Sequence, residues 1–259
     1  FCLMKFDCLL NILSLHNKTY NLSIFTETLL TVLYTVLFIL LIYRIKFFRI
    51  EGISVKVLSI VFIIKILAGL GMFFLYTFYY TDRATADIFK YFDDSKIMYD
   101  ALWDKPRDFF RMIFSIGNDS PYFDQYYHQM NNWYRQYESN IYNDSHTIIR
   151  INALIRLFSF GYFNVHTVFM CFISLVGLVA LYRFFVPYLQ NKKRLLFFAV
   201  FLIPSVVFWG SGVLKEAILI FGIGMMLHTT SQLLYKKQIF LNGILLLFSL
   251  VLLMYIKYY

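Results

Sequence analysis

Apolar residues in this chain come in long unbroken runs, separated by short basic turns and one long polar stretch. About 20 apolar residues cross the hydrocarbon core of a bilayer as a helix. Six runs predict spans at 24–43, 57–80, 163–185, 195–209, 213–235 and 239–256. The first stops at Arg44, Lys46 and Arg49, the third at Arg183, Lys192, Lys193 and Arg194, and the fifth at Lys236 and Lys237. The second leaves through Tyr76, Tyr79 and Tyr80, the residue type that lines membrane interfaces. Alternating the six spans places these basic clusters on one side, which the positive-inside rule makes cytoplasmic. The N-terminus, the 81–160 stretch, the turn at 210–212 and the C-terminus then face outward, from an inner membrane crossed several times.

The polar stretch is set apart by charge as well as length. Between Thr81 and Arg150 the chain carries 11 of its 15 acidic residues against 8 basic ones, while the rest carries 16 basic against 4 acidic. Its Tyr, Phe and Trp residues argue for a folded segment, since disordered segments lack them. Asp104-Lys105-Pro106 suits a helix start with Asp104 as N-cap, and Asn118-Asp119-Ser120-Pro121 a turn. From Ser145 to Phe160, Ile148, Ile149, Ala153, Leu154, Leu157 and Phe158 form a helical stripe beside Arg150 and Arg156. That pattern predicts a helix lying along the interface with its cations at the headgroups. The organisation expected is an N-terminal interfacial segment over 1–23, two spans over 24–80, an exported amphipathic loop over 81–160, and four spans over 161–259. The chain begins on Phe1, which reads as a fragment or a processed start.

Composition agrees with an all-α, polytopic membrane helix bundle. The chain is 60% hydrophobic and 15% charged, against about 45–50% and 25% for soluble domains. Its net charge of +9 sits at the ends of apolar runs, which suits anionic lipid headgroups and not a nucleic-acid backbone. Cys2, Cys8 and Cys171 show no metal-ligand spacing. Cys171 reads as a small buried hydrophobe, His166 and His228 as satisfied core histidines, and Lys65 as snorkelling to the cytoplasmic surface. Gly69-x-Gly71 and Gly222-x-Gly224 suit close helix packing.

Two motifs are candidates for chemistry. After the second span, Asp87, Lys90, Tyr91 and Asp94 share one helix face. A carboxylate at a membrane surface serves as a general base or holds a divalent cation, the one cofactor considered. The same spacing also suits a solvated helix with an Asp87–Lys90 pair. Between the fourth and fifth spans, Trp209-Gly210-Ser211-Gly212 predicts a tight turn, with a helix beginning at Val213 and pointing its N-terminus outward. Its unpaired N–H groups and the Lys215 ammonium make an anion site there, with Glu216 orienting Lys215 or holding a ligand hydroxyl. The bland alternative is two charges solvating a helix end.

Ala86-Asp87-Ile88-Phe89-Lys90-Tyr91-Phe92-Asp93-Asp94 and the Pro204-Ser205…Trp209-Gly210-Ser211-Gly212…Lys215-Glu216 turn together resemble the membrane-embedded glycosyltransferases of the GT-C class. The resemblance implies a polyprenyl-phosphate-linked sugar as donor, a glycan, lipid or protein acceptor, and membrane lipids as surroundings. It implies Asp87 as base with Asp93 or Asp94 as alternates, and Lys215 on the lipid phosphate. Arg83, Lys90, Tyr91, Trp209, Ser211 and Glu216 complete the expected substrate contacts. An O-antigen-type polymerase or ligase would use the same face and lipid carrier, with Arg83 or Arg150 as important as Lys215. A non-catalytic transport or assembly subunit is the reading from another class, and broken helices near the midplane would mark a transporter.

Overall fold

The computed structural model describes the backbone of residues 2–80, 82–134 and 143–257, with side chains from residue 22 onward. The helices are α1 (Cys2–Arg44), α2 (Val55–Phe78), α3 (Asp87–Asp104), α4 (Pro106–Phe114), α5 (Asp124–Tyr127), α6 (Ser145–Ser159), α7 (Phe163–Phe185), α8 (Lys193–Phe201), α9 (Pro204–Trp209), α10 (Lys215–Leu234) and α11 (Ile239–Ile256). No strand occurs among the described residues, only an isolated bridge between Ile50 and Ile53. The protein is an all-α, multi-pass membrane bundle. Its span-length apolar helices are Leu22–Arg44, Val55–Phe78, Phe163–Phe185, Lys215–Leu234 and Ile239–Ile256.

The predicted fourth span is the exception. Residues 195–209 do not form one helix but two short ones, α8 and α9, with the chain extended at Ile203 (φ −63°, ψ 124°). Pro204 is the reason. It has no N–H to give residue 200, and its ring drives the preceding residue out of helical backbone. The segment still joins the two ends of the bundle. Lys193 bonds Glu51 at 2.5 Å beside the start of α2, while Lys215 bonds Asp144 at 2.8 Å in the polar cap.

Irregular backbone at membrane depth persists only when protein buries it, and α2 and α7 do so where α9 ends, over the buried residues 210–214, whereas residues 203–205 at the break itself are exposed. Lys65, ten residues into α2, is fully buried and its Nζ donates to the Gly210 carbonyl at 3.0 Å. It does not snorkel: its length is spent across the bundle, satisfying a carbonyl released where α9 ends. Cys171 of α7 donates to the next carbonyl, Ser211 O, at 3.4 Å. At Gly69 a Cβ would fall 2.6 Å from that same oxygen, so only glycine admits the approach. Gly177 and Gly224 play the matching role for α7 and α10, where a Cβ on Gly224 would meet Gly177 O at 2.0 Å. Gly222 packs on Leu253, whereas Gly71 faces open space.

The basic turns gather at one end, as alternation requires. Arg183 donates to the carbonyls of Lys46, Phe47 and Arg49, and Phe47 lies edge-on to His228 near the end of α10. His228 and His166 each keep one buried ring nitrogen unpaired, so neither is the fully satisfied core histidine expected. His166 Nδ1 does meet Asn152 Oδ1 at 3.0 Å.

Residues 82–134 and 143–160 form a helical cap on the other end. Here α6 departs from expectation. It packs between α3, α4, α7 and α11. Leu154 and Phe158 of the predicted stripe stay 40% and 54% exposed, while Ile148, Ile149, Ala153 and Ile155 are buried. Arg156 is buried too, so its cation does not reach headgroups. It donates to Ser95 Oγ at 2.8 Å and to the Phe92 carbonyl at 2.6 Å, and lies 4.0 Å from the Phe92 ring centre. Burial lowers its pKa to about 10, which still leaves it charged at neutral pH. The N-cap of α4 is Lys105, not Asp104, which closes α3 instead.

Candidate functional site

The cap ends of α3 and α10 meet, so the two sequence motifs come together around one ring. Tyr91 lies 5.1 Å from Lys90 Nζ and 5.0 Å from Lys215 Nζ, ring centre to nitrogen. Lys90 is paired with Asp87 and Lys215 with Asp144, giving a charge row in which Tyr91 separates two ion pairs. Partial burial draws the Lys90 ammonium down, but Asp87 and Tyr91 together outweigh it and hold the group above its ordinary value. Lys215 occupies the first turn of α10, two residues later than the helix start expected at Val213. A cation there opposes the helix dipole, and Asp144 offsets it. Glu216, in the same turn, is half-buried.

The three candidate carboxylates have separate surroundings. Asp87 is exposed apart from its Lys90 partner. Asp93 takes a two-pronged pair from Arg83 at 2.7 Å on each prong, and Arg83 stacks over Phe89. Asp94 is 2% exposed and accepts from the backbone N–H of Asn131 and Asn132 at 2.9 Å each and from Asn132 Nδ2 at 2.8 Å. Burial outweighs those three donors and raises its pKa. This arrangement makes Asp94 an anchor for the loop after α5. Ser211 is buried with its hydroxyl donating to the Val207 carbonyl, and Trp209 is half exposed against Phe208. No group of three His, Cys, Asp or Glu side chains able to hold a metal occurs among the described residues.

Beside this cluster lies a cavity of about 1110 Å³ that sequence reading did not anticipate. Its lower wall is apolar and comes from the spans: Ile173 of α7, Ile218 and Phe221 of α10, and Phe248, Val251 and Leu252 of α11. Its upper wall belongs to the cap and is mixed, with Asn118, Asp119, His146 and Arg150 set among Ile113, Phe114, Trp133, Ile151 and Leu154. Arg150 Nε donates to the Met112 carbonyl at 2.8 Å, and its guanidinium lies 5.2 Å from the Trp133 ring centre. Trp133 is the middle of a stack, 4.1 Å from Tyr127 and 3.8 Å from His146. His146 Nε2 is also 2.7 Å from the Trp133 carbonyl. Asn118 meets Tyr127 Oη at 3.1 Å, and with its amide oxygen turned to that side it also accepts from Arg150 at 3.3 Å.

Lys215 stands one turn before Ile218 on α10, so it sits over the wall of this cavity without lining it. Asp87, Asp93 and Asp94 are not among the lining residues; Asp119 is. The space is enclosed by α4, the pair α6–α7, the pair α10–α11 and the loop residues Asn118, Asp119 and Trp133, groups that lie far apart in sequence. No protein-family model, curated protein or solved structure matches the chain.

Proposed function

We propose that this protein is a membrane-embedded glycosyltransferase that takes a sugar from a polyprenyl-phosphate donor and passes it to a hydroxyl acceptor on the cap side. The observation that supports this reading is the two-part cavity. A lipid-linked substrate has an apolar chain and a charged head, and the space has an apolar wall between spans and, above it, a mixed wall that holds its polar side chains, Arg150 and Asp119 among them. The chain of the donor lies against Ile173, Phe221, Phe248 and Val251, and its phosphate meets Arg150, with the Lys215 ammonium one helical turn from the wall.

Asp119 is the carboxylate on the cavity wall and takes the acceptor proton in this reading. The acceptor oxygen then bonds to the anomeric carbon, the bond from that carbon to the phosphate oxygen breaks, and the lipid phosphate leaves with its charge met by Arg150. Asp87, the base expected from the resemblance, is the competing assignment. Transfer assays on Asp119→Asn and Asp87→Asn separate the two: the base loses about 10²-fold or more in rate, and the other stays near wild type. Transfer unaffected by both substitutions together removes the enzyme reading.

One observation favours a second reading, a transport or assembly subunit. The span at 193–214 is broken, and Lys65 meets its loosened backbone within the bundle, the type of device transporters use. Uptake of a labelled polyprenyl-phosphate sugar into proteoliposomes, abolished by Lys65→Met without loss of fold, would place this reading first.

A further inference from the structure

Besides α6, whose Leu154 and Phe158 stay exposed, α4 presents an apolar face that the cap leaves uncovered. Asp108, Phe109, Met112 and Ile113 of α4 turn inward and are buried. The opposite face carries Arg107, Phe110 and Phe114, where the two phenylalanine rings stack with planes 7° apart. Phe110 is 51% exposed, Phe114 64%, and Ile116 just beyond the helix 63%. Three such side chains in water would be an exposed apolar patch of the type that marks a contact surface.

The level of this edge identifies its partner. Phe114 lines the same cavity as Phe248, Val251 and Tyr255, which belong to the last turns of the membrane span α11. Thr147 of the cap donates to the Tyr255 carbonyl at 2.9 Å, fixing the cap at the end of that span. Phe248 and Val251 are themselves 52% and 43% exposed along this open cavity, and Leu247 and Met254 of the same span are 65% and 62% exposed, so exposed apolar side chains on α11 reach the level of the α4 edge. Aromatic rings beside an exposed arginine are the side chains that favour the headgroup boundary.

We propose that the α4 edge formed by Phe110, Phe114 and Ile116 is inserted in the cap-side leaflet of the bilayer, with Arg107 reaching the lipid phosphates. The inference rests on the fold and not on the transferase reading. A short amphipathic helix at that depth anchors the cap beside the mouth of the cavity.

Nitroxide labels test it by depth. The background carries Cys2→Ser, Cys8→Ser and Cys171→Ala, and the protein sits in nanodiscs of phosphatidylcholine and phosphatidylglycerol. Labels are placed singly through Phe110→Cys and Phe114→Cys, with Leu247→Cys on the exposed face of α11 as lipid control and His128→Cys on the cap as water control. The expected result is an oxygen-to-nickel collision ratio at both α4 sites several-fold above that at 128 and approaching that at 247. Ratios at 110 and 114 equal to that at 128 overturn the proposal. Strong spin–spin broadening in a singly labelled sample, removed by diluting with unlabelled protein, also overturns it, because a second copy would then cover the edge.

Discussion

Between the spans, backbones approach one another at glycines; across the cap, buried charged side chains tie one backbone segment to another. Gly177 against Gly224 and Gly69 against Ser211 represent the first manner. Asp94 on the N–H groups of Asn131 and Asn132, and Arg156 on the Phe92 carbonyl, represent the second. Lipid gives helices no hydrophobic reason to associate, so close packing has to do it. The cap has loops with many unpaired backbone groups, and a charged side chain satisfies several at once. The broken span mixes the two manners. Its freed carbonyls lie among packed helices, and Lys65 brings a cap-like clamp into the membrane half.

The largest expected effect comes from filling a backbone contact. Gly224→Val drives a side chain into Gly177 O and should abolish the monodisperse peak in fluorescence-detected size exclusion. Gly71→Ala, where nothing lies within 4 Å, should leave that peak unchanged. A normal peak from Gly224→Val would mean that the α7–α10 approach is looser than described.

Asp94→Ala should follow, at about 2–4 kcal/mol, because it strands three donors that had a buried charged acceptor. The check is thermal unfolding in detergent, with proteolysis near residue 131 as a local readout. Lys65→Met should cost about 1–3 kcal/mol, leaving the Gly210 carbonyl without this donor while keeping the side-chain volume. Lys65→Ala should cost more, since a cavity is added to the lost bond. Equal stability for wild type and Lys65→Met would reduce the clamp to a bystander.

A smaller effect is pH-dependent. The Asp94 carboxyl has a raised pKa in the folded state, so the fold binds its proton more readily than the unfolded chain does. Its contribution therefore grows as pH falls through that raised value toward the ordinary carboxylate pKa, and shrinks as pH rises. The difference in Tm between wild type and Asp94→Asn should shift in favour of wild type on going from pH 7 to pH 4.5. The smallest change is expected at Asp87→Ala, within about 0.5 kcal/mol, because an exposed i,i+3 pair contributes little.

Much of the membrane half was legible in advance. The predicted bounds 163–185 and 239–256 are those of α7 and α11, because unbroken apolar runs ending in basic residues leave little choice. The break at Pro204 was legible too, since a proline inside a helical pattern ends or kinks a helix, but the apolar run masked it. Lys65 was misread because sequence shows its distance from a span end and not the carbonyl opposite. In the cap, the helix faces of Asp87, Lys90 and Tyr91 could be read from spacing, and so could a turn at 210–212 ahead of α10. That Tyr91 lies between the two lysines, and that Asp94 serves the 131–132 loop, depends on pairings across 37 or more residues. The cavity was illegible for the same reason, with walls drawn from α4, α6, α7, α10 and α11.

The most direct measurement is photocrosslinking from inside the cavity. A benzophenone side chain at Val251 is activated in native membranes, and the adduct is identified by mass spectrometry beside one from Leu247, on the exposed face of α11. The account predicts a polyprenyl-phosphate species captured at 251, absent at 247, and lost from 251 when Arg150→Ala is added. The same bulk phospholipids at both positions, indifferent to Arg150→Ala, would contradict it.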